Sequence, residues 1–178
     1  MGKIKVAING FGRIGRNVFK LALENEDLVV VGINDLTDNK TLAHLLKYDS
    51  TQGQYPGVSY DDENIIVDGV KYKVTAERNP ASIPWTETPD VVVESTGVFR
   101  AKESPKGGYG DHIKNGAKKV ILTVPSKDQI DNTIVLGVNN EAIKSSDESV
   151  SNASCTTNCL APVAKVLNDT FGIENGLM

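Results

Sequence analysis

Apolar runs alternate with helix-like segments along the first third of the chain. Residues 3–9 form a short alternating run that predicts a first strand. Residues 28–34 are almost wholly apolar, as expected for a parallel strand buried on both faces. Between these runs, helical spacing predicts a first helix whose inward face carries Ile14, Val18, Leu21 and Ala22. After the second run, it predicts a second helix over 38–48, whose inward face carries Leu42, Leu45 and Leu46. This order predicts a βαβ unit.

The middle of the chain breaks the parallel pattern. Residues 50–60 are rich in Gly, Gln, Tyr and Pro and predict a loop. The runs 64–67 and 70–74 flank Asp68-Gly69, which predicts an antiparallel hairpin. Further strands are predicted at 90–94, 118–123, 133–138 and 149–153, with a short helix at 139–144. The pattern therefore predicts an α/β fold of Rossmann type, with a doubly wound, mostly parallel sheet and a small antiparallel hairpin excursion.

A long helix follows the last predicted strand. It spans 155–171, and Gly172 is a typical stop signal. Its residues are apolar around most of the circumference, which normally means that a helix is covered on several sides. Because only one sheet is predicted to cover it, we expect the natural protein to continue past Met178.

Composition narrows the class of protein. The chain has 178 residues, of which 39% are apolar and 24% are charged, as in an ordinary globular domain. A net charge of −4 gives no basic surface for nucleic acid. No apolar run approaches the roughly 18 residues of a membrane span, and we expect no targeting segment, because the first predicted strand begins at residue 3. The two cysteines, four positions apart, suit a reducing compartment, so we expect a cytoplasmic protein without a metal site.

The first predicted turn carries Gly10-x-Gly12-x-x-Gly15, between a strand and a helix. In that context the motif predicts dinucleotide binding: Gly10 allows the tight turn, Gly12 lets a pyrophosphate approach the backbone, and Gly15 lets the helix pack closely. Asp35 ends the second strand, where its carboxylate can accept bonds from ribose hydroxyls and would repel a 2′-phosphate. The sequence therefore predicts NAD rather than NADP.

Two further turns follow predicted parallel strands, Thr96-Gly97 and Pro125-Ser126. Ligands of open α/β sheets bind beyond these carboxyl ends, so both turns are candidates to line the nicotinamide side of the cleft.

Cys155 is predicted at the very start of the last helix, where unpaired N–H groups and the helix dipole favour a nucleophilic thiolate. The alternative is a small buried hydrophobe, which is what free cysteine usually is. Ser154 and Thr156 could hold an anion beside it. Cys159 is predicted to be structural, and His44 and His112 to be surface or packing residues. A nucleophilic sulfur together with a nicotinamide site indicates aldehyde oxidation through a thioester.

These motifs resemble the phosphorylating glyceraldehyde-3-phosphate dehydrogenase family over the whole chain. The resemblance is carried by 9–16, 34–35, 48–50, 94–97, 116–120 and 151–162. It implies an NAD site made of Asn9, Gly10, Phe11, Gly12, Arg13, Ile14, Gly15, Asp35, Arg78, Thr96, Gly97, Phe99 and Ser126. It also implies Cys155 as the catalytic nucleophile and Ser154 and Thr156 as substrate or phosphate contacts. One departure is 104–110, where Pro and three glycines predict an irregular loop instead of a helix.

The resemblance implies oxidation of D-glyceraldehyde 3-phosphate with inorganic phosphate, in a homotetrameric glycolytic parent enzyme. It also implies a division into an NAD-binding Rossmann domain, 1–153, and the start of a truncated catalytic domain, 154–178. Without a histidine base and the substrate domain, we expect this chain alone to be inactive. Erythrose-4-phosphate dehydrogenase and a stand-alone NAD-binding or interaction module remain alternatives. Asp35 disfavours aspartate-semialdehyde dehydrogenase, which generally uses NADP.

Overall fold

The computed structural model describes residues 2–178. Its strands are β1 (Ile4–Asn9), β2 (Leu28–Asn34), β3 (Tyr48–Asp49), β4 (Gly53–Gln54), β5 (Val58–Tyr60), β6 (Asn64–Val67), β7 (Val70–Thr75), β8 (Val91–Glu94), β9 (Lys119–Leu122), β10 (Asn132–Thr133) and β11 (Ser149–Ser151). Its α-helices are α1 (Arg13–Glu24), α2 (Asn39–Lys47), α3 (Gly110–Lys114) and α4 (Cys155–Phe171), with 3-10 turns at Pro80–Ser82 and Asn140–Ala142.

Nine of these strands form one sheet in the order β10-β11-β9-β8-β1-β2-β7-β6-β5. Pairing is parallel from β10 as far as β7, and antiparallel from β7 through β6 to β5. Strands β3 and β4 pair separately and antiparallel. The predicted Rossmann-type α/β fold, mostly parallel with a small hairpin excursion, is confirmed.

The hairpin between β6 and β7 turns at Asp68-Gly69. Both residues have positive φ, +49° and +83°, as a type I′ turn requires. The edge strand β5 pairs with β6 in the segment predicted as a loop. Its two outer residues, Ser59 and Tyr60, are exposed, so β5 lacks the buried alternation that would have marked it as a strand.

The direction in which successive strands are added to the sheet reverses between β1 and β8. The chain runs outward from β1 to β2 and β7, then returns to the other side of β1 as β8 and continues to β9. The carboxyl ends of β1, β2 and β8 therefore border one crevice, the usual location of a ligand in an open α/β sheet.

Packing covers both faces of the sheet. Val6 and Ile8 of β1 pack with Phe19 of α1 on one face. Ala7 packs on the opposite face with Val92 and, beyond them, Trp85. The period-two alternation along β1 thus fills two cores at once.

Several local predictions need correction. In α1 the buried residues are Gly15, Arg16, Phe19 and Ala22, whereas Ile14 and Leu21 are 49% and 65% exposed. The helix is therefore rotated toward Phe19, whose ring fills the space above the sheet. Leu45 of α2 is also exposed. The strand predicted at 133–138 is only the two residues of β10, and the helix predicted at 139–144 is the 3-10 turn Asn140–Ala142.

Candidate functional site

A cavity of about 610 Å³ opens at the crevice bordered by β1, β2 and β8. Its walls come from the ends of these strands and from the segments that follow β7 and β8. The lining residues are Asn9, Gly10, Gly12, Asn34, Asp35, Leu36, Glu77, Arg78, Ser95, Thr96, Val98, Phe99 and Lys106. Seven of the predicted cofactor residues are therefore brought together here: Asn9, Gly10, Gly12, Asp35, Arg78, Thr96 and Phe99.

The three glycines of the first turn differ in their surroundings. Gly10 has φ +91°, and a Cβ there would lie 2.6 Å from the backbone nitrogen of Thr96. A Cβ on Gly15 would lie 2.1 Å from the carbonyl oxygen of Gly10. At Gly12, by contrast, an added Cβ would meet no atom of the described chain within 4 Å. Gly10 and Gly15 are thus required by internal packing, and Gly12 leaves open space beside the cavity.

Helix α1 begins at this open glycine. Gly12 is its N-cap, no side chain of the described residues caps it, and its first turn carries no acidic residue. The positive end of the helix dipole and the first backbone N–H groups are therefore left to an external acceptor, as in sites that bind phosphate groups.

Asp35 lines the cavity and is held by the backbone. Its Oδ2 accepts the N–H of Phe11 at 2.6 Å, and its Oδ1 accepts the N–H of Thr37 at 2.9 Å. A carboxylate has about four acceptor positions, so each oxygen keeps capacity for one more donor. The carboxylate is thereby fixed in a position where it can accept hydroxyl groups.

Arg13 is close to the turn but does not line the cavity. Its Nη1 donates to Asp49 Oδ2 at 2.8 Å. The backbone N–H groups of Gln52 and Thr51, together with this guanidinium, hold the pKa of Asp49 far below its ordinary value. The side chain of Asp49 is only 4% exposed, so Arg13 is anchored to a buried acceptor.

The irregular segment 104–110 contributes to the opposite wall. The predicted loop is confirmed, because regular structure resumes only with α3 at Gly110. Gly107 has φ +96° and lies against Phe99 and Pro80, where a Cβ would approach within 3.4 Å and 3.0 Å. The loop thus brings Lys106 into the cavity lining, a position that no local sequence pattern predicts.

The remaining predicted cofactor residues lie outside the cavity lining. Phe11 is fully buried in the core, and Ile14 lines a separate apolar cavity beside β9 and β11. The hydroxyl oxygen of Ser126 lies 2.6 Å from Asp128 Oδ1 and 3.1 Å from the carbonyl oxygen of Arg100, so its single proton is donated to one of these two acceptors. Gly15 packs against Gly10, and Gly97 adopts φ +73° in the turn beyond Thr96.

Cys155 is the first residue of α4 and is exposed. Two residues earlier, Ala153 adopts the left-handed conformation at φ +57°, and its N–H donates to Ser151 Oγ at 3.0 Å. This turn changes the chain direction between β11 and α4. The predicted position of the cysteine at a helix start is confirmed.

The hydroxyl groups around Cys155 bond to one another. Ser154 is the N-cap, and its Oγ accepts the N–H of Thr157 at 3.0 Å. The same Oγ lies 2.9 Å from Thr156 Oγ1 and 2.7 Å from Thr157 Oγ1. Cys159 is exposed in the described chain, and its predicted structural role stays a prediction. No residue of α4 is buried in the described chain, which leaves Cys159 without a core to join.

The two histidines lie away from Cys155. His44 is on α2, where its ring stacks at 5.0 Å from that of Tyr48, at the sheet edge opposite β11. His112 is fully buried and contacts Glu94 Oε2 at 2.8 Å. His44 is a surface residue and His112 a packing residue, as predicted.

Residues 2–178 contain neither a membrane-spanning helix nor a metal-binding cluster. No helix in this part of the chain combines the length and apolarity needed to cross a bilayer. No three His, Cys, Asp or Glu side chains there are grouped in a way that could hold a metal ion.

Comparison with known proteins identifies close relatives. A family model described as glyceraldehyde 3-phosphate dehydrogenase, NAD binding domain, matches residues 4–102, and the model of that family's C-terminal domain matches residues 154–178. The chain is 64% identical to glyceraldehyde-3-phosphate dehydrogenase of Borreliella burgdorferi over 98% of its length and 52% of the relative's. It is 52% identical to glyceraldehyde-3-phosphate dehydrogenase 1 of Saccharomyces cerevisiae and 53% identical to the cytosolic enzyme of Trypanosoma brucei brucei, with the same coverage. The chain spans about half the length of the curated relatives it matches.

Proposed function

The chain belongs to the glyceraldehyde-3-phosphate dehydrogenase family. We propose that it is the NAD-binding half, with the nucleophilic cysteine, of an enzyme that oxidises D-glyceraldehyde 3-phosphate with inorganic phosphate to 1,3-bisphosphoglycerate. The observation that carries the proposal is the cavity at the carboxyl ends of β1, β2 and β8, with its open glycine and fixed carboxylate.

The residues of the cavity fit NAD. Gly12 leaves room for a pyrophosphate at the uncapped start of α1, and the first N–H groups of the helix can donate to it. Asp35 keeps acceptor capacity for the hydroxyls of the adenine-side ribose and would repel a 2′-phosphate. Arg78 and Phe99 offer a cationic and an aromatic surface on the opposite wall. When bound, NAD supplies a hydride acceptor.

Cys155 is proposed as the nucleophile. Its Sγ would add to the aldehyde carbon, and the resulting alkoxide would collapse with loss of hydride to leave a thioester on the sulfur. A phosphate oxygen would then attack the thioester carbon, and the thiolate would leave as the acyl phosphate forms. Ser154 and Thr156, which precede and follow Cys155 in the chain and whose hydroxyl oxygens lie 2.9 Å apart, are proposed to contact the substrate or the attacking phosphate.

The 178-residue chain by itself is proposed to be inactive. The proton released during oxidation needs a base; among the described residues, His112 is buried against Glu94, and His44 lies on α2 at the sheet edge opposite β11. Positioning of the substrate, which contributes roughly 7 kcal/mol or more in well-oriented reactions, would also have to come from further residues.

The wider setting of the enzyme is part of the same proposal. We propose the division into an NAD-binding domain, 1–153, and the beginning of a catalytic domain, 154–178, supported by the separate family-model matches. A cytosolic location is supported by the name of the Trypanosoma relative. The homotetramer implied by the resemblance concerns the whole enzyme, and its substrates are small molecules.

Calorimetric titration of this chain with NAD and with NADP tests the proposal. We expect NAD to bind and NADP to bind at least about tenfold more weakly, because Asp35 faces the added phosphate. The variant Asp35→Asn should narrow that ratio, since the amide does not repel a phosphate. Equal binding of both dinucleotides, or binding of neither, would contradict the proposal. Thioester formation is tested separately in the full-length enzyme with Cys155→Ser, which should abolish turnover and leave NAD binding intact.

A further inference from the structure

A row of polar side chains crosses the sheet at the floor of the cavity. Asn9 pairs in register with Asn34 of β2 on one side and with Glu94 of β8 on the other, and Asn34 pairs with Thr75 of β7. All four residues therefore stand at the carboxyl ends of neighbouring strands. Asn34 Nδ2 donates to Asn9 Oδ1 at 2.8 Å, and Asn9 Nδ2 donates to Glu94 Oε2 at 2.6 Å.

Glu94 is the one carboxylate in this row, and it is fully buried. Its Oε2 accepts from Asn9 Nδ2 and faces His112 Nε2 at 2.8 Å. Its Oε1 accepts the Thr96 N–H at 2.9 Å and the Thr96 hydroxyl. These four donors use the roughly four acceptor positions of a carboxylate. Glu94 thus has no capacity left for a ligand, and its action on the cavity must pass through its partners.

Two partners of Glu94, Asn9 and Thr96, line the cavity, and Thr96 is the one that carries a hydroxyl. Its hydroxyl proton is donated to Glu94, and its oxygen accepts the N–H of Val98 at 3.1 Å. What remains on this oxygen is an acceptor position. A phosphate oxygen has no proton to offer it, whereas an amino or hydroxyl group does.

His112, on helix α3, contacts the carboxylate of Glu94. Its Nε2 faces Glu94, while its Nδ1 is buried without a hydrogen-bond partner among residues 2–178. A proton on Nδ1 would be an unpaired buried donor, so the tautomer with the proton on Nε2 is favoured. In that tautomer His112 donates to Glu94 and fixes its orientation.

We infer that Glu94 is a positioning residue for the dinucleotide. Glu94 accepts the hydroxyl proton of Thr96, so the Thr96 oxygen presents a hydrogen-bond acceptor to the cavity. This acceptor receives a donor group of the cofactor, an amine or a hydroxyl and not a phosphate. His112 holds Glu94 in place for this task. The inference rests on the proposed function, that the cavity binds NAD.

A double-mutant cycle on NAD affinity tests the inference. Calorimetry is done on the chain with Glu94→Gln, Thr96→Val and both changes together. Glu94→Gln would turn an amide toward donors, and Thr96→Val would remove the acceptor, so each single change should weaken NAD binding about tenfold or more. Because Glu94 acts through Thr96, the double variant should bind within about twofold of Thr96→Val. Independent effects that multiply would overturn the inference.

Two further pairs of variants separate positioning from general destabilisation. His112→Gln keeps a donor where Nε2 stands, and His112→Leu removes it, so the first should restore most of the affinity that the second loses. Equal affinity of these two variants would overturn the inference even if Glu94→Gln does not fold. The matched control is Asp131→Asn, a carboxylate that accepts Glu148 N–H, Ser149 N–H and the Ser149 hydroxyl at the far edge of the sheet.

Asp131→Asn should lower the thermal midpoint without changing NAD affinity. If Asp131→Asn lost as much NAD affinity as Glu94→Gln, general destabilisation alone would explain the weaker binding, and the inference would be overturned. If the wild-type chain fails to bind NAD, the proposed function fails first. If it binds and the cycle is additive, only the role of Glu94 is rejected.

Discussion

Gly12 and Gly15 lie three residues apart, yet adding one methyl group should damage different properties at each site. At Gly12 the added Cβ meets no atom of the described chain within 4 Å, and the backbone φ of −69° suits alanine. At Gly15 the Cβ would lie 2.1 Å from the Gly10 carbonyl oxygen and 2.9 Å from Ser95 Oγ. We therefore expect Gly12→Ala to impair ligand binding and Gly15→Ala to impair folding.

The magnitudes follow from these surroundings. For Gly12→Ala, a gain of about 0.4–1 kcal/mol from reduced unfolded-state entropy is offset by the weaker N-capping of alanine, so stability should change by less than about 1 kcal/mol. For Gly15→Ala, the obstacle is backbone that cannot rotate away, and the loss should be about 3 kcal/mol or more. In a domain of this size that corresponds to a thermal midpoint lowered by roughly 6–12 °C.

The assay combines thermal unfolding followed by circular dichroism with calorimetric titration of NAD. Gly12→Ala should melt with the wild type but bind NAD more than about tenfold more weakly, since the methyl group separates the pyrophosphate from the N–H groups of α1. Gly15→Ala should melt early. If Gly12→Ala bound NAD normally, the assignment of the open space beside Gly12 to the pyrophosphate would be refuted. If Gly15→Ala melted with the wild type, the close approach of α1 to the first turn would be refuted.

Two further predictions concern pH. The pKa of Asp49 lies far below its ordinary value because the backbone N–H groups of Gln52 and Thr51, and then the guanidinium of Arg13, donate hydrogen bonds to its carboxylate. The ionised carboxylate therefore stabilises the fold above about pH 4, and this contribution is lost as the pH falls below that value. The thermal midpoint of Asp49→Asn should therefore lie below that of the wild type at pH 7, and a gap that did not shrink by pH 3 would contradict the assignment. Burial, and then its hydrogen bond to Asp128, raises the pKa of Tyr109 to about 12, so the neutral phenol stabilises the fold below pH 10 and this contribution disappears as the pH rises from about 10 to about 12. Denaturant midpoints should fall more steeply over that range for the wild type than for Tyr109→Phe, and parallel curves would argue against it.

The sequence was most informative where several local signals agreed. The strand 28–34 and the helix 155–171 have the predicted bounds, because an uninterrupted apolar run and a clear N-cap with a glycine stop leave few alternatives. The hairpin followed from Asp68-Gly69, whose positive φ angles few other pairs would tolerate. The floor of the site was implicit in three apolar runs that each end in a polar residue, Asn9, Asn34 and Glu94, but their alignment needed the register of the sheet.

Other features depended on tertiary context that no local pattern contains. The inward face of α1 is set by the fit of the Phe19 ring above the sheet, and Leu21 is exposed although its spacing looked favourable. The place of Lys106 depends on a loop folded over Phe99 through glycine contacts. The pairing of His112 with Glu94 joins residues 18 positions apart through the packing of α3 beneath the strand ends.

The exposure of helix α4 determines which part of the chain unfolds locally. In the described chain no residue of this helix is buried, so its order depends on the Ser154 cap, the ion pair between Lys165 and Asp169 at 2.6 Å, and the stop at Gly172. In proteins most of the stability of a helix comes from the packing of its apolar face, and within residues 2–178 α4 has no buried residue. The amide hydrogens of α4 should therefore exchange with solvent in fast local openings, while those of β1 and β8 exchange only when the whole sheet comes apart. The cysteine and the cofactor cavity thus belong to different cooperative units of this chain.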